Sequence, residues 1–181
     1  MRIYLRLVLA ALVGVVVVAL AGPVGVAYAH GSAPAATHVS AQDVTFLKAA
    51  HQGNLAEIAA GHVALAKSHD AEVRRIATHL IADHLKLDAG VKQVAAAHHV
   101  RLPAKPTRAQ RAALAAVARK SGAAFDHAWL KLQEKSHVMT LALIDKELRH
   151  GCAADVKAAA RTAKPVVKEH LEMVRAALRH R

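Results

Sequence analysis

Apolar residues recur at alternating intervals of three and four positions over four stretches of the chain, as expected for helices that bury one face. The second stretch shows this most regularly, at Val73, Ala77, Leu80, Leu87, Val91 and Val94. Ser40 with Asp43 resembles a capping box at the start of the first stretch, and Gly151 is a stop signal after the third. The pattern predicts long helices over about 41–67, 71–98 and 123–150, and from about 155 to the C-terminus.

The lengths of the connections predict the topology. The first two helices are joined by a few residues, as are the last two, so each pair is expected to form an antiparallel hairpin. The segment between the pairs exceeds twenty residues and contains Pro103 and Pro106, after which Thr107 begins a short helix. These features predict an all-α, ferritin-like four-helix bundle with a long crossover containing a short helix. Pro165 is expected to kink or divide the last helix.

The composition agrees with a helical core. Hydrophobic residues make up 54% of the 181 residues but aromatic residues only 3%, which argues against a β-sandwich or barrel. Cys152 is the single cysteine, so no intrachain disulfide can form and packing has to stabilise the fold. We interpret Cys152 as a small residue beside the turn at Gly151.

The first residues resemble an export signal. Arg2 and Arg6 precede an uncharged apolar run over 7–26, and Ala27-Tyr28-Ala29 follows with the small residues of a cleavage site. The sequence thus predicts a signal peptide over 1–29, a flexible leader over 30–39 and a bundle domain over 40–181. Because the apolar run is long enough to span a bilayer, an uncleaved membrane anchor over 7–26 is the alternative.

Each of the last three long helices carries a histidine in the middle of its apolar seam, at His84, His137 and His170, and the first helix carries Glu57 in the equivalent place. Residue counts from the helix starts put all four near the same height if the second and third helices run parallel. Three imidazoles and a carboxylate form a ligand set for Zn²⁺, Cu²⁺ or Fe²⁺. The sequence is therefore compatible with two interpretations of these groups, a transition-metal site inside the bundle or a layer of buried polar groups that holds no metal.

Three further carboxylates extend this hypothesis. Glu134 precedes His137 by one turn, in an E-x-x-H spacing used by di-iron bundles, and is included as a ligand. Asp83 and Asp126 are predicted to orient a ring from outside the metal. The other interpretation has no metal, and these polar groups then hydrogen-bond one another and specify the helix register. No nucleophile triad, phosphate loop or di-iron carboxylate set is recognisable, so we expect no enzymatic activity.

Charge adds a second functional hypothesis. The chain has 25 Lys and Arg against 13 Asp and Glu, and its net charge of +12 falls to +10 when the signal peptide with its two arginines is removed. Such a protein attracts anionic cell-envelope polymers or lipid headgroups. The basic residues are spread along every helix and lack interleaved aromatics, so we expect no specific nucleic-acid recognition.

Several short motifs, in order along 41–178, resemble the bacterial family known as domain of unknown function 4142. They are Phe46-x-x-x-Ala50-x-x-Gly53-Asn54-x-x-Glu57, the stretch from Ala77 to Asp83-His84, Leu102-Pro103, Phe125-Asp126, His137, Pro165 and His170-Leu171. Ser136 departs from the family, which usually has Asp before the histidine. The resemblance implies an exported, ferritin-like helical bundle and supplies no reaction.

Cleavage after Ala29 predicts that the mature protein begins at His30. N-terminal sequencing or the intact mass of exported protein checks this directly. A chain that keeps residues 1–29 would instead support the membrane anchor over 7–26.

Overall fold

The computed structural model describes residues 38–180, so the predicted signal peptide, the membrane anchor and most of the leader lie outside the described residues. The described chain forms five helices and no strand, which confirms the all-α prediction. The helices are α1 (Ala41–Lys67), α2 (Ala71–Ala97), α3 (Arg108–Ala118), α4 (Gly122–His150) and α5 (Ala154–Arg179). None of the helices within 38–180 is long and apolar enough to cross a membrane.

Side-chain caps fix where the first helices begin. The Ser40 hydroxyl accepts a hydrogen bond from the Asp43 backbone N–H, and the Asp43 carboxylate accepts one from Ser40 N–H, which completes the predicted capping box. Thr107 forms the same reciprocal pair at the start of α3. Pro165 lies inside α5, and that helix continues through it without division.

The contacts between helices establish their directions. Helix α1 packs against α2 and α4, and α5 packs against the same two helices. The Trp129 indole N–H donates to the Ala60 carbonyl at 2.9 Å, which joins the beginning of α4 to the second half of α1. His98 and Asp155, at 2.7 Å, join the end of α2 to the beginning of α5. Helices α2 and α4 therefore run in the same direction. Residues that follow the two helix starts by the same number of positions consequently lie at similar distances along the helix axes.

The buried side chains form two apolar clusters near opposite ends of the helices. One surrounds Trp129 and Phe125 and includes Leu80 of α2, and the other surrounds Phe46, Leu47 and Ile144. Between the two clusters, each of the four long helices carries at least one buried polar residue, among them Glu57, His84, His137 and His170. Most of the stabilisation by apolar burial therefore comes from the ends, and the middle depends on hydrogen bonding.

A buried carboxylate ties the start of α1 to the turn between α4 and α5. Asp43 accepts hydrogen bonds from the backbone N–H groups of Cys152 and Ala153 at 3.0 and 3.2 Å. Burial opposes ionisation of Asp43, but hydrogen bonds with Ser40, with the Glu147 side chain and with the Cys152 backbone outweigh it and hold the pKa of Asp43 at about 2. The Cys152 thiol itself is exposed, so the backbone of this residue carries the structural role.

Candidate metal centre

Three helices bring three histidine rings together in the polar middle of the protein. His84 of α2, His137 of α4 and His170 of α5 have relative exposures of 3%, 1% and 1%. Their ring centroids are 5.3 to 5.7 Å apart. One nitrogen from each ring lies within 4.8 Å of those from the other two. We call these three residues the histidine cluster.

Each ring of the histidine cluster contacts an oxygen outside the cluster through one nitrogen. An amide, carbonyl or carboxylate oxygen only accepts hydrogen bonds, so the nitrogen facing it carries the hydrogen. The three contacts are His84 Nδ1 to Asn54 Oδ1 at 2.9 Å, His137 Nδ1 to the Gln133 carbonyl at 2.7 Å, and His170 Nε2 to Asp83 Oδ2 at 3.2 Å.

The remaining nitrogen of each neutral ring is therefore a lone-pair donor. These atoms are His84 Nε2, His137 Nε2 and His170 Nδ1. His137 Nε2 and His170 Nδ1 face each other at 3.4 Å, and His84 Nε2 has no hydrogen-bond partner within residues 38–180. Two lone pairs at this distance repel, and only a proton or a metal ion between them makes the contact attractive. The arrangement suits a cation bound by all three nitrogens.

Burial keeps the three rings neutral. It is the largest influence on each, and it lowers the pKa of His84 well below its usual value and that of His137 to about 4. The pKa of His170 is lowered as well, although its contact with Asp83 works in the opposite direction. Neutral imidazole is also the form in which histidine binds metals.

Glu57 is buried in α1 but lies outside the group of converging ligand atoms. Burial raises its pKa to about 8, while a hydrogen bond with Ser136 opposes the shift. A carboxyl group that is protonated at pH 7 is a poor metal ligand. The predicted set of three histidines with Glu57 therefore reduces to the histidines alone.

Glu134 has to be removed from the predicted ligands, because its carboxylate pairs with Lys131 at 2.8 Å and with Arg175 at 3.1 Å on the surface. A step of three residues rotates a side chain by about 300° around the helix axis. Glu134 therefore points about 60° away from His137, to the side of α4 where it pairs with Lys131 and Arg175.

Of the two predicted orienting carboxylates, Asp83 contacts His170, as that role requires. Asp126 is buried near the start of α4, eleven residues before His137. That separation corresponds to about 16 Å along the helix, which is too far for Asp126 to orient a ring of the cluster.

Sequence reasoning missed other buried polar groups beside the cluster. His51 Nδ1 lies 2.6 Å from Asp88 Oδ1, and Asp88 also pairs with Lys92 at 2.7 Å. Spacing could have revealed this pair, since His51 precedes Asn54 by three residues and Asp88 follows His84 by four. The Gln133 carbonyl leaves no such signal, because every residue carries a backbone acceptor.

These features define an all-helical protein with a buried three-histidine cluster. The family match agrees with the resemblance seen in the sequence motifs. Residues 29–177 match the family described as "Domain of unknown function (DUF4142)", and the chain belongs to that family. The crystal structure of a DUF305 fragment from Deinococcus radiodurans superimposes with a TM-score of 0.70 at 15% identity, covering 79% of this chain and 99% of the fragment. At that identity the likeness concerns the fold. No curated protein matches the sequence.

The lowered pKa of His137 predicts a specific effect of acid. The unfolded chain takes up the proton near pH 6.5 and the folded chain only near pH 4, so this residue's contribution to stability is present above pH 6.5 and is lost between these values. In metal-free protein, the unfolding free energy of the wild type should fall between pH 7 and 5 by about 2 kcal/mol more than that of His137→Leu.

The raised pKa of Glu57 increases the unfolding free energy of both proteins as the pH falls, opposite to the effect of His137. The two proteins are therefore compared with each other, because the contribution of Glu57 cancels in the difference. Denaturant titrations at pH 7, 6 and 5 provide the measurement, with His62→Leu on the exposed face of α1 as the control. Equal pH dependence of wild type and His137→Leu would contradict the buried, neutral state of His137.

Proposed function

We propose that this protein binds a divalent transition-metal ion through His84 Nε2, His137 Nε2 and His170 Nδ1. The observation that carries the proposal is that one nitrogen from each of the three rings lies within 4.8 Å of the other two, while one nitrogen of each ring faces an oxygen acceptor outside the cluster. Outer partners of this kind fix the tautomer and orientation of metal-binding imidazoles. The protein acts in this proposal by binding the ion, without a catalytic reaction.

The donor set selects the metal. Three neutral imidazoles suit Zn²⁺ and Cu²⁺, whereas Ca²⁺ and Mg²⁺ require oxygen ligands. Fe²⁺ sites usually add a carboxylate, and neither Glu57 nor Glu134 belongs to the converging group. We therefore favour zinc or copper among the three metals considered from the sequence. Three protein ligands also leave a coordination position for water or an external ligand.

We further propose that the protein is exported and that its four long helices form a ferritin-like bundle in which the segment around α3 is the crossover. The predicted signal peptide over 1–29 supports export. The antiparallel contacts of α1 with α4 and of α2 with α5 support the bundle topology. In an exported protein the metal would be acquired from, or held in, the extracytoplasmic environment.

The distribution of charge favours a second candidate function, binding of anionic envelope polymers or lipid headgroups. Five acidic residues are buried, namely Asp43, Glu57, Asp88, Asp126 and Glu147, whereas no lysine or arginine within 38–180 is. The surface is consequently more basic than the composition suggests. Such binding would weaken with salt and would not depend on the histidine cluster, so a histidine variant separates the two candidates.

The metal proposal predicts ligand-dependent stability. Purified wild-type protein should contain stoichiometric metal by elemental analysis. Adding Zn²⁺ or Cu²⁺ at about 100 times the dissociation constant should stabilise metal-free protein by about 2.7 kcal/mol. His84→Leu should lose this gain but remain folded, because an apolar residue replaces a buried polar one at similar volume.

His62→Leu, which changes an exposed histidine of α1, serves as the control and should keep the metal-dependent gain. Retention on heparin should be the same for all three proteins. A wild type without metal-dependent stabilisation, accompanied by a His84→Leu variant that melts as high or higher, would rule out the metal site and leave a buried polar layer.

A further inference from the structure

A cavity of about 500 Å³ lies beside the histidine cluster, on the side of the second apolar cluster. All four long helices line it, and most of its wall is apolar. Its apolar lining includes Phe46, Ala50, Val91, Val94, Ile144 and Ala163. Cavities of this size with mainly apolar walls and a few polar groups are typical of sites for small organic ligands.

The cavity opens to solvent between α2 and α5. Its exposed lining residues, which include Gly90 and Ala97 of α2 and Ala158 of α5, belong to these two helices, whereas the lining residues of α1 and α4 are buried or half-buried. A Cβ added at Gly90 or at Gly53 would meet no atom within 4 Å. Small residues along both sides therefore keep a slot open between two helices that otherwise pack together.

The buried polar side chains of the lining lie at one end. They are Asn54, Glu57 and His84, at the height of the histidine cluster, and the exposed Lys86 lies beside them. The other polar residues of the lining are exposed or half-buried, namely Gln93, Thr140, Asp155 and Thr162. Glu57 Oε2 is buried and has no hydrogen-bond partner within residues 38–180. A buried polar atom of this kind indicates that a ligand atom completes its hydrogen bonding.

The remaining lining extends along the helices away from this polar end. From His84 to Ala97 the slot follows thirteen residues of α2, which corresponds to about 20 Å of helix. Its length and its apolar walls match a linear hydrocarbon chain better than a compact ring system. Its polar end matches a head group at one end of that chain.

We propose that this slot binds a single-chain anionic amphiphile, namely a fatty acid, with its carboxylate beside Lys86 and Glu57 and its chain along the apolar wall. Lys86 contributes a positive charge at the polar end, where its ammonium also pairs with Asp83 at 3.2 Å. The raised pKa of Glu57 supports this orientation, since a protonated carboxyl group donates a hydrogen bond to a carboxylate. The inference does not depend on metal binding, because neither the head-group contacts with Lys86 and Glu57 nor the apolar wall uses a nitrogen of the histidine cluster.

Dodecanoate is a suitable probe, and isothermal titration calorimetry at a concentration below micelle formation measures its binding. Wild type should bind one dodecanoate per chain, and dodecyltrimethylammonium should bind at least tenfold more weakly because its head group is cationic. Gly90→Leu should weaken dodecanoate binding at least tenfold by filling the slot. This variant should stay folded, since leucine has the higher helix propensity and the added Cβ meets open space.

Ala96→Leu is the matched control, because it adds the same side chain to an exposed position of α2 outside the slot, and it should bind dodecanoate like the wild type. Gly53→Leu fills the slot from α1 and provides a second test if Gly90→Leu does not fold. Metal content measured on the same samples should be equal in wild type and Gly90→Leu, so this inference and the metal proposal fail separately.

Three results would overturn the inference. One is the absence of saturable dodecanoate binding to the wild type. Another is equal affinity of wild type, Gly90→Leu and Gly53→Leu. The third is association only with vesicles of anionic lipid, unchanged by either glycine substitution, which would assign the attraction to the basic surface.

Discussion

Burying an imidazole requires a partner for each of its two ring nitrogens, and this requirement governs the middle of the protein. Asn54, the Gln133 carbonyl and Asp83 satisfy one nitrogen of each ring in the histidine cluster. The three inner nitrogens have only each other at hand, and lone pairs do not satisfy lone pairs. A metal ion meets this requirement at once, because it accepts electron density from all three.

The rest of the fold is consistent with that central requirement. Phe46 and Ile144 pack at one end of the helices, and Trp129 and Leu80 pack at the other, so apolar burial holds the helices together on both sides of the polar middle. Sliding one helix by a turn would move its histidine about 5 Å out of the cluster and against apolar side chains. The cluster therefore fixes the register of three helices, whether or not an ion is bound.

The spacing of apolar residues was sufficient to predict the helices and the three histidines, since burial of a seam is a property of sequence periodicity. It was insufficient for the carboxylates. Glu134 shares the periodicity but is rotated far enough to reach Arg175, and the position of Glu57 in a seam says nothing about the distance of its oxygens from the rings. Side-chain direction and the backbone partner at Gln133 depend on how neighbouring helices approach one another, which a single sequence does not encode locally.

The positions of the protons on the three rings test the central claim most directly. Long-range ¹H–¹⁵N NMR correlations of metal-free protein at pH 7 report which nitrogen of each imidazole carries hydrogen. The account predicts hydrogen on Nδ1 of His84 and His137 and on Nε2 of His170, with the three inner nitrogens shifting when Zn²⁺ is added. Hydrogen on Nε2 of His84 or His137 would contradict it, because a protonated inner nitrogen has no lone pair to bind a metal.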